Sequence, residues 1–446
     1  MSRATAPQSA ITRHEPAPGA PAAQSPPAAA ATPSTMPAPA QLVVWPPAFR
    51  WLVVWAFVSV LAAVAFDGFV APYLRDEGVS VVAIGFMYGL SGAVGAVAAA
   101  IGGVFADRYG RRAVLAAGRS LRLLSWLAVL AFPREEALVL VAILLGLGQA
   151  AASALMAMVA ESAPGARRAV AFAVTGAVES LAALAVPLAI GFLADAYGLR
   201  TALSWALLPG FVGVLLITRL SETVPPPSAD PAASGDALGR TGALAGWRFI
   251  LSTSGRGAAL MAAIWLLTGF EMGLMRPVWP LYVTDRFGVT YAGLGAVATV
   301  ASIGMVFGQL VGGKVAERIG NSRLMVICLG LTALVYLVLP LAATPTSFAA
   351  LRLLANFCAF LAAPCWGAVA ANTAPRAVRG AVLGLFGAAT SVGMSLGGLA
   401  SGLIYTVSIA LPLYALAGLE LAMLALILVG TGQAWPGFGR GPVHDD

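Results

Sequence analysis

The chain alternates long apolar runs with short polar ones, and the runs have the length scale of a membrane. A helix needs roughly 20 apolar residues to cross the hydrocarbon core. Twelve such runs follow one another, near 51–74, 80–105, 113–132, 136–160, 168–193 and 199–219, then 257–283, 289–313, 322–343, 346–371, 378–406 and 409–430. Between the sixth and seventh lies "SETVPPPSADPAASGDALGRTG", a polar stretch rich in Pro, Gly and Ser. The pattern predicts an all-α integral membrane protein with six-helix bundles at 49–219 and 257–430. A cytoplasmic linker at 220–256 joins them. Residues 1–48, rich in Ala and Pro, have no helical period and are expected to form a disordered cytoplasmic tail. That tail lacks the basic-then-apolar layout of a cleavable signal. Residues 431–446 form a second tail.

Composition agrees and adds an orientation. The 446 residues are 59% hydrophobic and 10% charged, against ~25% charged in a soluble chain. With the N-terminus inside, inner segments hold 18 of the 26 basic residues. The outer loops hold Arg75, Arg134, Arg200 and Arg286. This bias predicts a multi-pass protein of the cell membrane with both termini cytoplasmic. No basic stripe with interleaved aromatics lies outside the spans, which excludes a nucleic-acid partner. Cys328, Cys358 and Cys365 all lie in apolar runs and form no disulfide framework. The only histidines, His14 and His444, lie in the tails, so no His-based metal site or proton relay is expected in the membrane. No nucleotide loop or nucleophile–base set suggests an enzyme.

The two sets of six are repeats. "ADRYG" at 106–110 returns as "AERIG" at 316–320, Pro72 falls on Pro280, and Arg168 falls on Arg379. Duplicated bundles imply a pseudo-two-fold axis along the membrane normal, with the binding site between halves. The stretch "GGVFADRYGRR", Gly102 to Arg112, concentrates charge between the second and third runs. Glycines there permit close helix approach, and Asp107 can accept hydrogen bonds from a helix N-terminus.

Twelve spans, a six-plus-six repeat and this loop resemble the major facilitator superfamily over about residues 50–430. The family's loop signature falls on Gly103, Asp107, Arg108, Gly110, Arg111 and Arg112. A weaker second copy keeps Gly313, Glu317, Arg318 and Gly320, with Asn321 and Ser322 in place of two arginines. The resemblance implies that this loop gates the cytoplasmic side by latching the halves when the carrier faces outward. It also implies that helices 1, 4, 7 and 10 line a central cavity while 3, 6, 9 and 12 lie outside. Small-residue stripes, Gly95–Ala99–Gly103 and Gly304–Gly308–Gly312, are expected between the halves.

Ionisable groups inside a membrane are costly and mark function. Asp67, Glu271 and Glu179 are the proton-coupling candidates, and Arg276 and Arg352 their charge partners. Repeat matching sets Arg276 beside the equivalent of Asp67, so the two are expected to face each other across the cavity, with protonation of Asp67 breaking the pair. Arg119 and Arg122 are expected to snorkel to the interface, and Glu420 to serve local packing. Phe66, Phe69, Tyr73, Gln149, Trp265, Phe270, Trp279, Asn356, Phe357 and Phe360 are the candidate cavity wall. Few amides and hydroxyls accompany them, which argues against a sugar. Pro187 is expected to kink the fifth helix.

An acid near Pro72 in the first helix resembles the family's drug/proton antiporters. Two departures weaken that branch: Ala142 stands where those exporters often carry arginine, and the glycine-rich signature of helix 5 is eroded around Pro187. The reading is a proton-coupled carrier of alternating access, exporting hydrophobic or amphipathic small molecules. The alternatives are proton symport or export of a metabolite such as a sugar or organic acid, and a non-transporting receptor. The expected partners are a small-molecule solute, protons and the lipid bilayer, with no cofactor, for a monomeric protein driven by the proton gradient.

Overall fold

Each apolar run is a helix in the computed structural model, which describes residues 45–162, 168–223, 256–372 and 379–432, with 248 and 252. The first half holds α1 (Pro47–Asp76), α2 (Val81–Tyr109), α3 (Arg111–Ala131), α4 (Glu135–Ser162), α5 (Arg168–Tyr197) and α6 (Leu199–Leu216). The second holds α7 (Arg256–Phe287), α8 (Tyr291–Ile319), α9 (Asn321–Val338), α10 (Pro345–Asn372), α11 (Arg379–Val407) and α12 (Leu411–Gly432). All twelve are long and apolar enough to cross a membrane. The tail before residue 45, most of the linker, and the tail beyond 432 lie outside the described residues, as do the loop arginines Arg167 and Arg376.

The structure departs from the pattern inside α4. Its helix stops at Leu147 and resumes at Ala150. Gly146 and Gly148 carry low helix propensity, and both are pressed by neighbours. A Cβ on Gly146 would lie 2.8 Å from the Ser91 carbonyl oxygen of α2, and one on Gly148 3.0 Å from the Gly118 carbonyl oxygen of α3.

Helices pack mainly within their halves, α7 on α11, α8 on α10, α2 on α4 and α1 on α6. The halves meet along two seams, α2 on α11 and α5 on α8. Lipid offers no hydrophobic drive between helices, so close backbone approach supplies the attraction. The expected stripes sit elsewhere. Gly304, Gly308 and Gly312 face α10 of their own half, Gly95 faces Gln149 of α4, and Gly103 faces open space. The cross-half approaches use Gly85, Gly89 and Gly92 against Leu399, Ser395 and Gly402, and Gly191 and Gly295 against α8 and α5 backbone.

These seams are tightest at one end. There a single apolar core runs through both halves, from Phe69 and Leu74 to Leu281 and Leu294. At the other end the core divides in two: one cluster around Trp55 and Leu115 belongs to the first half, another around Met261 and Met325 to the second. The molecule is closed at the end bearing the α1–α2, α5–α6 and α7–α8 connections. It parts toward the end bearing the arginine-rich α2–α3 loop.

Candidate functional site

Between the halves lies a cavity of ≈ 320 Å³, walled by α1, α5, α7, α8 and α10. Asp67 of α1 faces into it, and Arg276 of α7 donates to the Asp67 carboxylate at 2.5 Å. The expected pair forms, and it joins the halves. A third group completes it: Arg122 of α3 lies 3.8 Å from the other Asp67 oxygen. Two guanidinium groups thus face one carboxylate. Arg276 also rests over the Tyr88 ring of α2, 5.2 Å from its centroid, and Arg122 over Trp126 at 5.5 Å; both stacks suit a planar cation.

Arg122 corrects the expectation that it snorkels to the interface. Its side chain turns into the half, only 16% exposed. Arg119, one turn earlier, packs over the Trp55 ring at 5.1 Å and lies within electrostatic reach of Glu179. Glu179 is exposed and sits one helical turn before the cavity residue Ala183 on the same face of α5. Pro187 lies inside α5, lines the cavity, and turns its carbonyl toward Gly295 of α8.

A second charged cluster lies inside the second half. The Tyr336 hydroxyl of α9 donates to Glu271 of α7 at 3.2 Å. Arg352 of α10 and Glu420 of α12 both act electrostatically on this pair. Glu420 is 4% exposed, and its Oε2 has no hydrogen-bond partner among the described residues. The structure therefore brings Glu420 into the Glu271 cluster rather than leaving it to local packing. Arg352 belongs to both places: it borders the central cavity beside Asn356 and stands near Glu271.

Of the candidate cavity wall, Trp279 and Asn356 line the cavity, and Asn356 is held by donating to the Ala301 carbonyl at 2.9 Å. Phe66, Phe69 and Tyr73 do not. All three are buried in the core that runs through both halves, Phe66 stacked on Trp126 with ring centroids 4.7 Å apart. Trp265 stacks on Phe386 of α11 at 6.4 Å. The Phe270 backbone lies against Gly393 and Gly397 of α11, the Phe357 and Phe360 backbone against Gly308 of α8, and the Gln149 side chain against Gly95 of α2 at the α4 break. No group of three or more metal-ligating side chains occurs among the described residues.

Comparison with known proteins accounts for this plan. The family model of the Major Facilitator Superfamily matches residues 52–275 and 261–438, one match for each half. The chain belongs to the major facilitator superfamily. Its structure resembles nucleoside transporter NupG, with TM-score 0.68 and 17% identity over 86% of this chain and 99% of that one. It also resembles the human organic anion transporter MFSD10, with TM-score 0.62 and 19% identity over 86% and 100%. A POT family transporter in complex with 5-aminolevulinic acid gives TM-score 0.69 and 13% identity over 87% and 96%. At these identities the likeness is one of fold. In sequence, a gallate transporter of Pseudomonas putida is 27% identical over 136 residues; the match spans 30% of each chain. The protein is thus a multi-pass transporter of this superfamily.

In this carrier the signature loop is built within the first half. Gly110, at φ 93°, makes the turn between α2 and α3, a backbone angle that favours glycine. Arg111 pairs with Glu161 at the end of α4 and lies 3.9 Å from Asp107. Arg108 lies over the Tyr109 ring. The first amides of α3, those of Arg111 and Arg112, donate to the carboxylate of Glu222, just beyond α6, at 3.0 and 3.1 Å. Sequence reasoning missed Glu222; an acid at the start of the linker was its only signal. Asp107 is 76% exposed. The second copy repeats the turn at Gly320, φ 90°, with Gly313 in open space and Glu317 and Arg318 at the end of α8.

Proposed function

We propose that this transporter couples protons to the movement of a small organic anion with an aromatic or apolar body, by alternating access through the central cavity. One observation carries the reading: the cavity wall holds more positive charge than its single acid balances. Asp67 faces both Arg276 and Arg122, and Arg352 stands across the same space. A carboxylate fits that surplus, since charge-assisted and bidentate hydrogen bonds to guanidinium are the strong ones. Trp279 and the alanines of α5 and α8 offer an apolar surface for the body of the solute. The names of the gallate and organic anion transporters agree with this class.

The proton belongs to Glu271. Asp67 is compensated by two arginines, whereas Glu271 has Arg352 near it and a second acid, Glu420, acting against it. A half-buried and a buried acid against one nearby cation leave a charge that a proton neutralises. Proton and solute are then coupled through Arg352: with Glu271 neutral, Arg352 turns its charge to an anion in the cavity. The open, arginine-rich end is taken as cytoplasmic, which makes this an inward-open state in the cell membrane.

Purified carrier in liposomes with an alkaline lumen tests the reading against a panel of solutes. Accumulation of aromatic carboxylates, and not of nucleosides, supports it. Transport of lipophilic cations without carboxylates returns the carrier to the drug-export reading and overturns this one.

A further inference from the structure

The signature loop has a third relative that lies at the closed end. Residues Gly191 to Arg200 read "GFLADAYGLR" against "GVFADRYGRR" at Gly103 to Arg112. Gly103, Ala106, Asp107, Tyr109, Gly110 and Arg112 fall on Gly191, Ala194, Asp195, Tyr197, Gly198 and Arg200. The backbone matches too. Gly198, between α5 and α6, has φ 85° and ψ 148°; Gly110 has φ 93° and ψ 143°.

The packing around the two loops is related by inversion. The α2 helix runs along α11 before ending at its loop, and α5 runs along α8 before ending at its loop. Each pair is antiparallel, so each aspartate ends its helix on the side where a helix of the opposite half begins. Among the described residues only the closed-end contact is made. Asp195 accepts from the backbone N–H of Tyr291 at 2.8 Å and from that of Ala292 at 3.1 Å, the first two amides of α8. Those amides have no partner inside their own helix, and the helix dipole favours a negative charge there. Gly191 brings the helices close enough: a Cβ there would collide with the Tyr291 carbonyl oxygen. The Tyr291 hydroxyl meets Asp76 of α1, so the same residue ties α8 to a second helix of the first half.

We propose that Asp195 is the closed-end latch of this carrier, a positioning residue that sets how long it stays shut on that side. Asp107 is its counterpart at the arginine-rich end, engaged when the other end closes. The two aspartates alternate: one caps a helix of the opposite half while the other faces water. The inference rests on the alternating-access reading.

The test uses the full-length carrier, with its three cysteines replaced and Phe132→Cys and Val407→Cys spin-labelled. These exposed positions end α3 and α11 at the closed side, one on each half. Pulsed distance measurements in lipid nanodiscs, at acidic and alkaline pH, read the ratio of short to long separations. Removing a helix-capping carboxylate shifts an equilibrium by about three- to tenfold. Asp195→Ala is expected to raise the long, open population by that factor, Asp195→Glu to restore the short one, and Asp107→Ala to move the ratio the opposite way. The double variant should lie near the parent. Two populations whose ratio ignores Asp195→Ala overturn the latch alone. One unchanging population in the parent at both pH values overturns alternating access, and the latch with it.

Discussion

Arg276 of α7 donates to Asp67 of α1 at 2.5 Å, and that ion pair crosses from one half of the carrier to the other. Arg122 approaches the same carboxylate from α3. The arrangement makes Asp67 the common counter-ion of two cations from different halves.

Asp67→Asn leaves Arg276 and Arg122 facing each other across a neutral amide. Because the Asp67 side chain is 41% exposed to the cavity, solvent screens part of the loss. Transport by this variant is expected to fall about tenfold, well short of the cost of unpairing a fully buried charge, with the protein still folded. Asp67→Glu should recover much of the rate. Initial uptake rates in liposomes, normalised to the amount of folded carrier, decide it.

Glu271→Gln removes the proton proposed to balance the Glu271–Glu420 cluster. The variant is expected to exchange labelled for unlabelled solute across the membrane, yet to lose accumulation driven by a pH gradient. Glu420→Gln should weaken the pH response, and Tyr336→Phe should weaken it less. Full pH-driven accumulation in Glu271→Gln contradicts the assignment.

Arg352 is assigned to the anion. Arg352→Gln should raise the KM for an aromatic carboxylate by about tenfold or more, since a hydrogen bond to a charged group contributes about 1.5–3 kcal/mol. Arg352→Lys should raise it less. An unchanged KM would remove Arg352 from the site.

The glycine contacts predict two different failures. A Cβ on Gly397 would collide with the Phe270 carbonyl oxygen, within one half. Gly397→Ala should therefore lower thermal stability by several degrees. On Gly89 the clash is with α11 across the seam, 2.7 Å from the Leu399 nitrogen. Gly89→Ala should leave each half folded and hold the closed end apart, seen as faster alkylation of a cysteine placed in the cavity at Ala183.

Much of the fold was legible in sequence because membrane thickness fixes helix length, and because two halves with one offset repeat each other's errors. The same offset found Arg276 opposite Asp67. The cavity wall was harder. Phe66 and Phe69 lie one and two positions from Asp67, and such neighbours do not share a helix face; with Asp67 turned to the cavity, both point into the half. That rule was available in the sequence. Arg122 also left a signal: Arg119, Arg122 and Trp126 follow one another at three- and four-residue steps, the stripe of an inward face. Glu420 left none. Its partners come from α7, α9 and α10, and no spacing along α12 reveals which helices pack against it.

If one buried cluster ties a proton to an organic anion, the movement of either must carry the other. Lumenal pH reads that tie without an imposed gradient. It is followed with a trapped dye in carrier-loaded liposomes when an aromatic carboxylate is added outside. The expected result is lumenal acidification that requires the carrier, saturates with the carboxylate, and is lost in Glu271→Gln. Carboxylate entry with no movement of protons would contradict the coupling.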